Sequence, residues 1–390
     1  MRLAIEKKEL IRYIQNLTGI VSSKTTSPIL TNYLIEVDAK KSEVKITASD
    51  LEITADVRFN AAVSEGGTIA VSAKNFNDII SSMPDAVIDL WKTEDLLMIQ
   101  CNKIDFNILC ADHTLFPILP EPDMEKATLV NSEIFNNMIS KTAFAVSTDI
   151  NRAVLTGVCW KIMEKTNLMA ATDGRKVAEI IVPNSSEIKA EARESGDETS
   201  IFQDAYADQI LEKVIPVKTL NFLQKIYDPS VKEMKVLMDR NKIVFSYGSF
   251  TVISNVIEHK YPEYQKAFMS DLPNQLTVNT EILRSAIRRV SLVAPDDNYR
   301  IRFELDSDHF EISTNNSDTG DAKESIETFE YKGSSTSISF NFRYMLSILD
   351  AIDTEKVCIK LGGSKEPMMI YNEPPQEDKK ITFLLMPLRS

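Results

Sequence analysis

Residues 128–134 read TLVNSEI, and residues 276–282 repeat the pattern as LTVNTEI. The same spacing of apolar residues follows each: Ile134, Phe135, Met138, Ile139 and Val146 in one copy, Ile282, Leu283, Ala286, Ile287 and Val290 in the other. Adjacent apolar pairs recurring every fourth residue put those side chains on one face of an α-helix. Asn131 and Asn279, or Ser132 and Thr280 beside them, are candidate N-caps. A fainter third copy opens the chain as LAIEKKELIRYIQNL (3–17), with Leu10, Ile11, Ile14 and Leu17 on the buried face.

The repeat extends beyond the helix. An extended stretch follows each copy: PILTNYLIEVD (28–38), AVLTGVCWKI (153–162) and YRIRFELD (299–306). Each then reaches a small polar turn, at Thr47–Asp50, Ala171–Gly174 and Ser313–Asn316, and a second amphipathic helix, at Phe76–Met83, Leu220–Tyr227 and Phe342–Leu349. Alternating strands such as VIDLWKTEDLLMIQCNKIDFNIL (87–109) complete the unit. The expected fold class is therefore α+β: three repeated modules, each with two amphipathic helices packed on β-sheet. The Pro-rich LFPILPEPD (115–123) and the stretch near 270–275 set expected domains of 1–124, 125–269 and 270–390. The middle module carries an acidic insertion at 185–209, with seven acids and two bases between Glu187 and Asp208. Its composition suits a solvated segment.

The chain has 390 residues, is 43% hydrophobic and carries a net charge of −13. Taken as a sum, that charge argues against nucleic-acid binding, but a sum does not locate the bases. They recur on the helices: Lys7, Lys8 and Arg12 in the first copy, Lys141 in the second, Arg284, Arg288 and Arg289 in the third. Lys74, Lys218, Lys225 and Arg343 lie in the second-helix regions. Such a recurrence suits a surface that contacts phosphate without reading bases. No apolar run approaches the roughly 20 residues of a membrane span, and the N-terminus turns charged too early for a secretory signal. The four scattered cysteines read as reduced core thiols of a cytoplasmic protein. Three isolated histidines and 11 glycines leave no metal set, phosphate cradle or catalytic constellation. Asp173 has no His or Cys partner in sequence, and Asp50 and Asn315 take its place in the other copies, so a turn role is expected of it.

Together, TSPILTNYLIEV (26–37), TASDLEI (47–53), AATDGRK (170–176), YPEYQK (261–266) and the terminal MPLR (386–389) resemble, in order and spacing, the bacterial DNA polymerase III beta subunit family, the replicative sliding clamps. The resemblance runs essentially end to end. It implies a head-to-tail homodimeric ring of six similar domains, with helices lining the hole and sheets forming the outer wall. It also implies a non-catalytic role without cofactor or metal: encircling duplex DNA sequence-independently and tethering the polymerase III catalytic subunit, the clamp loader and other proteins that carry the clamp-binding motif.

Carried over motif by motif, the partner-peptide pocket would be lined by Leu155, Thr172, Gly174, Arg175, Val177, Pro262, Lys266, Ala267, Asn341 and Tyr344. Leu385, Met386, Pro387, Leu388 and Arg389 of the terminus would complete it. Besides the helical bases, Lys24 and Arg152 match DNA-facing loops. Phe106 and Ile108 would meet Val293 and Ala294 of a second chain in the dimer. The chain departs from the family's pattern at Arg175 and Lys176, where His and Arg are frequent, at Lys266 and Ala267, at Ala153 and Val154, which lack the aromatics of some relatives, and in the acidic insertion.

Overall fold

The computed structural model describes residues 1–21, 27–117, 121–184, 211–296, 298–317 and 319–388. Lys24, Arg389 and the acidic insertion lie outside the described residues. In chain order the first module contains β1 (Arg2–Glu6), α1 (Lys7–Leu17), β2 (Asn32–Asp38), β3 (Glu43–Ser49), β4 (Ile53–Asn60), β5 (Ala62–Glu65), β6 (Gly67–Ser72), α2 (Ala73–Ser82), β7 (Val87–Thr93), β8 (Leu96–Cys101) and β9 (Ile104–Ala111). The second contains β10 (Thr128–Asn131), α3 (Ser132–Thr142), β11 (Gly157–Ile162), β12 (Thr166–Thr172), β13 (Lys176–Pro183), β14 (Leu211–Pro216), α4 (Val217–Lys225), β15 (Glu233–Met238), β16 (Lys242–Tyr247) and β17 (Phe250–Asn255). The third contains β18 (Asn274–Asn279), α5 (Thr280–Val290), β19 (Arg300–Leu305), β20 (Phe310–Asn316), β21 (Gly320–Ser325), β22 (Phe329–Lys332), β23 (Thr336–Asn341), α6 (Phe342–Leu349), β24 (Lys356–Leu361), β25 (Met368–Glu373) and β26 (Lys380–Leu385). Each module is thus itself a duplication among the described residues: strand, helix and three strands, twice over, with one further strand between the halves of the first module (β5) and of the third (β22).

The helices start where the sequence marks them. Asn131 Oδ1 accepts from the Ile134 amide at 3.0 Å, and Asn279 Oδ1 accepts from the amides of Glu281 and Ile282. The neighbouring hydroxyls are engaged elsewhere: Ser132 donates to the Val231 carbonyl and Thr280 to that of Thr354. Each amphipathic stripe is buried, as in α1 (Leu10, Ile14, Leu17) and α5 (Leu283, Ala286, Ile287, Val290). Ile282, expected on that stripe, is exposed, because it sits in the first helical turn at the stripe's edge.

Compactness divides the chain into two units that cut across the three modules. Unit 1 comprises residues 1–136 and 218–256. Its strands form one sheet in the order β10-β15-β16-β17-β4-β3-β2-β6-β9-β8-β7-β1-β5. The join between modules is the antiparallel pair β17–β4, where Val252 faces Ala55. Among the described residues, β9 pairs with β6 only at Cys110 and Ala111, so one edge of Ile104–Leu109 is open there.

Unit 2 comprises residues 137–217 and 257–390. It holds a nine-stranded sheet, β14-β11-β12-β13-β26-β25-β24-β18-β22, and a four-stranded sheet, β21-β20-β19-β23. Here the modules join at β13–β26, where Val177 faces Leu384. The C-terminal strand is therefore internal, with β13 on one side and β25 on the other.

Candidate functional site

A cavity of about 470 Å³ opens on unit 2 beside the end of β26. Its apolar surface comes from Val154 and Leu155 before β11, Val177 of β13, Leu384 of β26, and Pro262, Tyr264 and Ala267 of the segment following β17. Arg152, Arg175, Lys260 and Met386 complete the lining with Thr172 and Gly174, and no carboxylate is among these residues.

Local chemistry fixes each wall. Between β12 and β13 the chain turns through Asp173, whose Oδ1 accepts from the amides of Arg175 (2.8 Å) and Lys176 (2.9 Å). Its Oδ2 pairs with Lys176 Nζ at 2.6 Å. Asp173 is thus fully occupied as a turn former. Gly174 takes φ +86°, and a Cβ there would lie 2.8 Å from the Arg152 guanidinium, which donates to the Asp173 carbonyl at 2.9 Å. The terminus is held by the Met386 amide on the Arg175 carbonyl and the Leu388 amide on the Ser339 carbonyl, both at 2.8 Å.

Two tyrosines pin the wall formed by residues 261–268. Tyr261 Oη accepts from the Thr172 amide at 3.0 Å, and Tyr264 Oη donates to Glu179 Oε2 at 2.6 Å. Gln265 Nε2 reaches the same carboxylate at 3.3 Å. Burial, and then the Glu179 carboxylate, hold the Tyr264 phenol far above its ordinary pKa, so it remains a donor. Beneath lies a buried cluster that includes Leu155, Leu168, Val177, Tyr261, Met369 and Leu384.

Of the residues assigned to the pocket from sequence, Leu155, Thr172, Gly174, Arg175, Val177, Pro262, Ala267 and Met386 line it. The others need correction. Leu385 is fully buried on the sheet face opposite Leu384, as strand alternation dictates. Asn341 is turned inward as the N-cap of α6, accepting from the amides of Arg343 and Tyr344. Lys266 points outward and pairs with Glu263. Tyr344, Pro387 and Leu388 lie outside the lining, although Tyr344 carries the Lys176 ammonium 4.2 Å over its ring. Val154, Lys260, Tyr264 and Leu384 were not assigned from sequence. The register of β26 against β13 turns Leu384, and not Leu385, toward the cavity. Arg152, assigned to a DNA-facing loop, is also part of the lining.

The helical bases divide in two. One group is spent on the fold. Lys7 donates to the Met83 carbonyl after α2, Lys225 to the Gln15 and Asn16 carbonyls at the end of α1, and Arg284 to the Leu349 carbonyl at the end of α6. Lys141 is buried, donating to the Ala351 carbonyl at 2.7 Å and pairing with Asp353. Each cation meets unsatisfied carbonyls where a neighbouring helix terminates. This recurring structural use accounts for much of the bias seen in sequence and removes Lys141 and Arg284 from any free surface. Lys7 keeps only 15% of its side-chain exposure and also pairs with Asp85. Arg12, Lys74, Arg288 and Arg343 are exposed, with Arg12 and Arg288 in solvent-facing pairs with Asp228 and Asp350, and Arg343 stacked 3.7 Å over Tyr299. Lys218 pairs with Asp50.

Phe106 is exposed on β9 beside Ile104 and Leu109, whereas Ile108 is buried against the sheet. Val293 and Ala294 are half-buried after α5, and Leu292 beside them is 84% exposed.

The family comparison decides what carries this site. Models of three domains of one subunit match in order: the DNA polymerase III beta subunit N-terminal domain over residues 1–120, its central domain over 129–194 and its C-terminal domain over 266–389. The chain belongs to the DNA polymerase III beta subunit family. Beta sliding clamps of Staphylococcus epidermidis and Staphylococcus aureus are each 28% identical over the whole of both chains. The crystal structure of the Bacillus subtilis DNA polymerase sliding clamp superimposes with a TM-score of 0.88 at 27% identity, covering 100% of this chain and 99% of that one. A sliding clamp from Bartonella birtlesii, at 22% identity and TM-score 0.89, shares the fold over both full lengths. Family membership makes the chain a processivity factor and not a catalyst. Among the described residues no helix is long and apolar enough to cross a membrane.

Proposed function

We propose that the chain is a replicative sliding clamp whose unit 2 cavity receives the short apolar and aromatic motif of its partners. The observation that carries this reading is the cavity itself: an apolar interior at the motif residues, bordered by Arg152, Arg175 and Lys260, with no carboxylate among the described residues of its lining. Apolar anchors enter the interior, and the three cations orient the peptide's carbonyls and polar side chains. The polymerase III catalytic subunit, the clamp loader and other proteins carrying the motif are the expected occupants.

Two chains close a ring through a head-to-tail contact. The open edge of β9, with Ile104, Phe106 and Leu109 exposed, is one half of that contact, and the region around Leu292, Val293 and Ala294 of a second chain is the other. The domains 1–124, 125–269 and 270–390 then supply three of six repeats. Arg12, Lys74, Arg288 and Arg343, with Lys218, meet the phosphate backbone. Such contacts are weak, salt-sensitive and blind to sequence, as sliding requires. The work is done in the cytoplasm, on the chromosome.

Fluorescence anisotropy of a labelled Gln-Leu-x-Leu-Phe peptide against the full chain and a chain lacking 386–390 tests the pocket. Saturable binding that the truncation abolishes supports the assignment; equal binding by both overturns it.

A further inference from the structure

Strand register makes the two units comparable residue by residue. In unit 2, β12 and β13 pair Ala170 with Glu179 and Thr172 with Val177, and β26 sets Thr382 beside Glu179. In unit 1, β3 and β4 pair Thr47 with Asp56 and Ser49 with Thr54, and β17 sets Thr251 beside Asp56. Glu179 and Asp56 therefore hold the same place on their sheets, and both are buried. Each face also carries an aromatic-proline pair, Tyr261-Pro262 in one unit and Phe116-Pro117 in the other, and both aromatics are buried.

What the two carboxylates receive differs. Glu179 accepts from the Tyr264 hydroxyl and the Gln265 carboxamide. Among the described residues, Asp56 has a single long bond, from Arg58 Nε at 3.4 Å. In sequence, Leu119 stands three residues after Phe116 where Tyr264 stands three after Tyr261. Thr47, on the strand beside it, is 7% exposed, and its hydroxyl has no hydrogen-bond partner among the described residues. Both residues line a cavity of about 370 Å³, walled by Phe116, Ile253 and Met124 on its apolar side. That size falls at the low end of ligand sites, roughly 300–1,000 Å³.

A buried acceptor short of a donor and an orphaned hydroxyl are costly unless a ligand satisfies them. We propose that this cavity is a second binding site, taking a tyrosyl side chain of a partner peptide. The ring lies against Phe116 and Ile253, the phenol donates to Asp56, and the Thr47 hydroxyl donates to the phenol oxygen. It is the arrangement that Tyr264 makes with Glu179, completed from outside. Glu36 and Glu121 also line the cavity and pair with Lys45, and Glu121 pairs with Arg58 as well. These carboxylates already occupy the bases, so the site favours a neutral phenol over a phosphorylated one.

The test is a titration of the full chain, methyl-labelled at Thr and Ile, with N-acetyl-L-tyrosinamide, followed by NMR. The expected result is saturable shifts at Thr47, Thr54 and Ile253, at least about tenfold weaker with N-acetyl-L-phenylalaninamide, because a site built to bond a hydroxyl rejects the analogue lacking it. Thr47→Val, which conserves shape, and Asp56→Leu should each erase that preference. Equal response to both amides, tighter binding of the phosphotyrosine amide, or no shift at these three residues would overturn the proposal.

Discussion

Tyr264 donates its hydroxyl to Glu179 Oε2 at 2.6 Å, tying the wall of the unit 2 cavity to strand β13. A bond to a buried carboxylate is worth about 1.5–3 kcal/mol, and deleting the donor leaves that carboxylate to Gln265 alone. Tyr264→Phe should therefore loosen the wall and weaken binding of the motif peptide by about tenfold or more. Glu179→Gln keeps an acceptor and should bind nearly as wild type, whereas Glu179→Val should match Tyr264→Phe. The double variant should be no worse than either single one, since both remove the same bond. Anisotropy on the four proteins checks this, and wild-type affinity in Tyr264→Phe would show that the bond does not shape the pocket.

The split among the bases gives opposite expectations for two neighbours on α5. Arg284, at 18% side-chain exposure, bonds the Leu349 carbonyl and pairs with Glu281 and Asp350. Arg284→Met should lower the thermal midpoint. Arg288 is 56% exposed. Arg288→Glu with Lys74→Glu should leave the midpoint nearly unchanged and weaken DNA retention. It should also make the salt dependence shallower, by about one unit of slope for each phosphate no longer neutralised. Thermal melts and retention measured across a salt series separate the two effects.

Asp56 gives a pH dependence of definite sign. Burial raises its carboxyl above the ordinary 3.8, with Lys45 and Arg58 only partly opposing it. Between the unfolded and folded values the native state binds more protons, so stability falls as pH rises through that window. Above it, the native state carries a charge that burial disfavours. Asp56→Asn should accordingly stabilise the chain at about pH 7 and lose that advantage near pH 3.5, below the unfolded value. Urea unfolding midpoints at the two pH values report the difference; a variant less stable at neutral pH would mean that the Arg58 bond outweighs burial.

The dimer contact is tested at the open edge of β9. Phe106 and Leu109 are exposed there, and an aspartate at either place would be desolvated on association. Phe106→Asp with Leu109→Asp should give a folded monomer in sedimentation equilibrium, with circular dichroism unchanged. A dimer as stable as wild type would exclude this edge.

Much of this architecture could be read from the chain. The helices follow from apolar pairs every fourth residue and from Asn131 and Asn279, and the turn at Asp173 from its small polar neighbours. Other features depend on partners distant in sequence. The direction of Leu385 is set by the register of β26 against β13, and the burial of Lys141 by Asp353 and Ala351, which lie more than two hundred residues away. Basic residues on helices looked like one surface because sequence cannot distinguish a lysine that binds a helix end from one that faces solvent. Nor could it show that each module is a duplication, since the half-module similarity lies in strand order and not in residues.

The most direct measurement is retention on DNA of defined topology. The chain is loaded by its clamp loader onto a nicked circular duplex, the complex is isolated by gel filtration, and half is linearised with a restriction enzyme. A ring held by topology should co-elute with the circle and dissociate once free ends are made. Equal retention on circle and linear DNA, or no retention on the circle, would contradict encirclement.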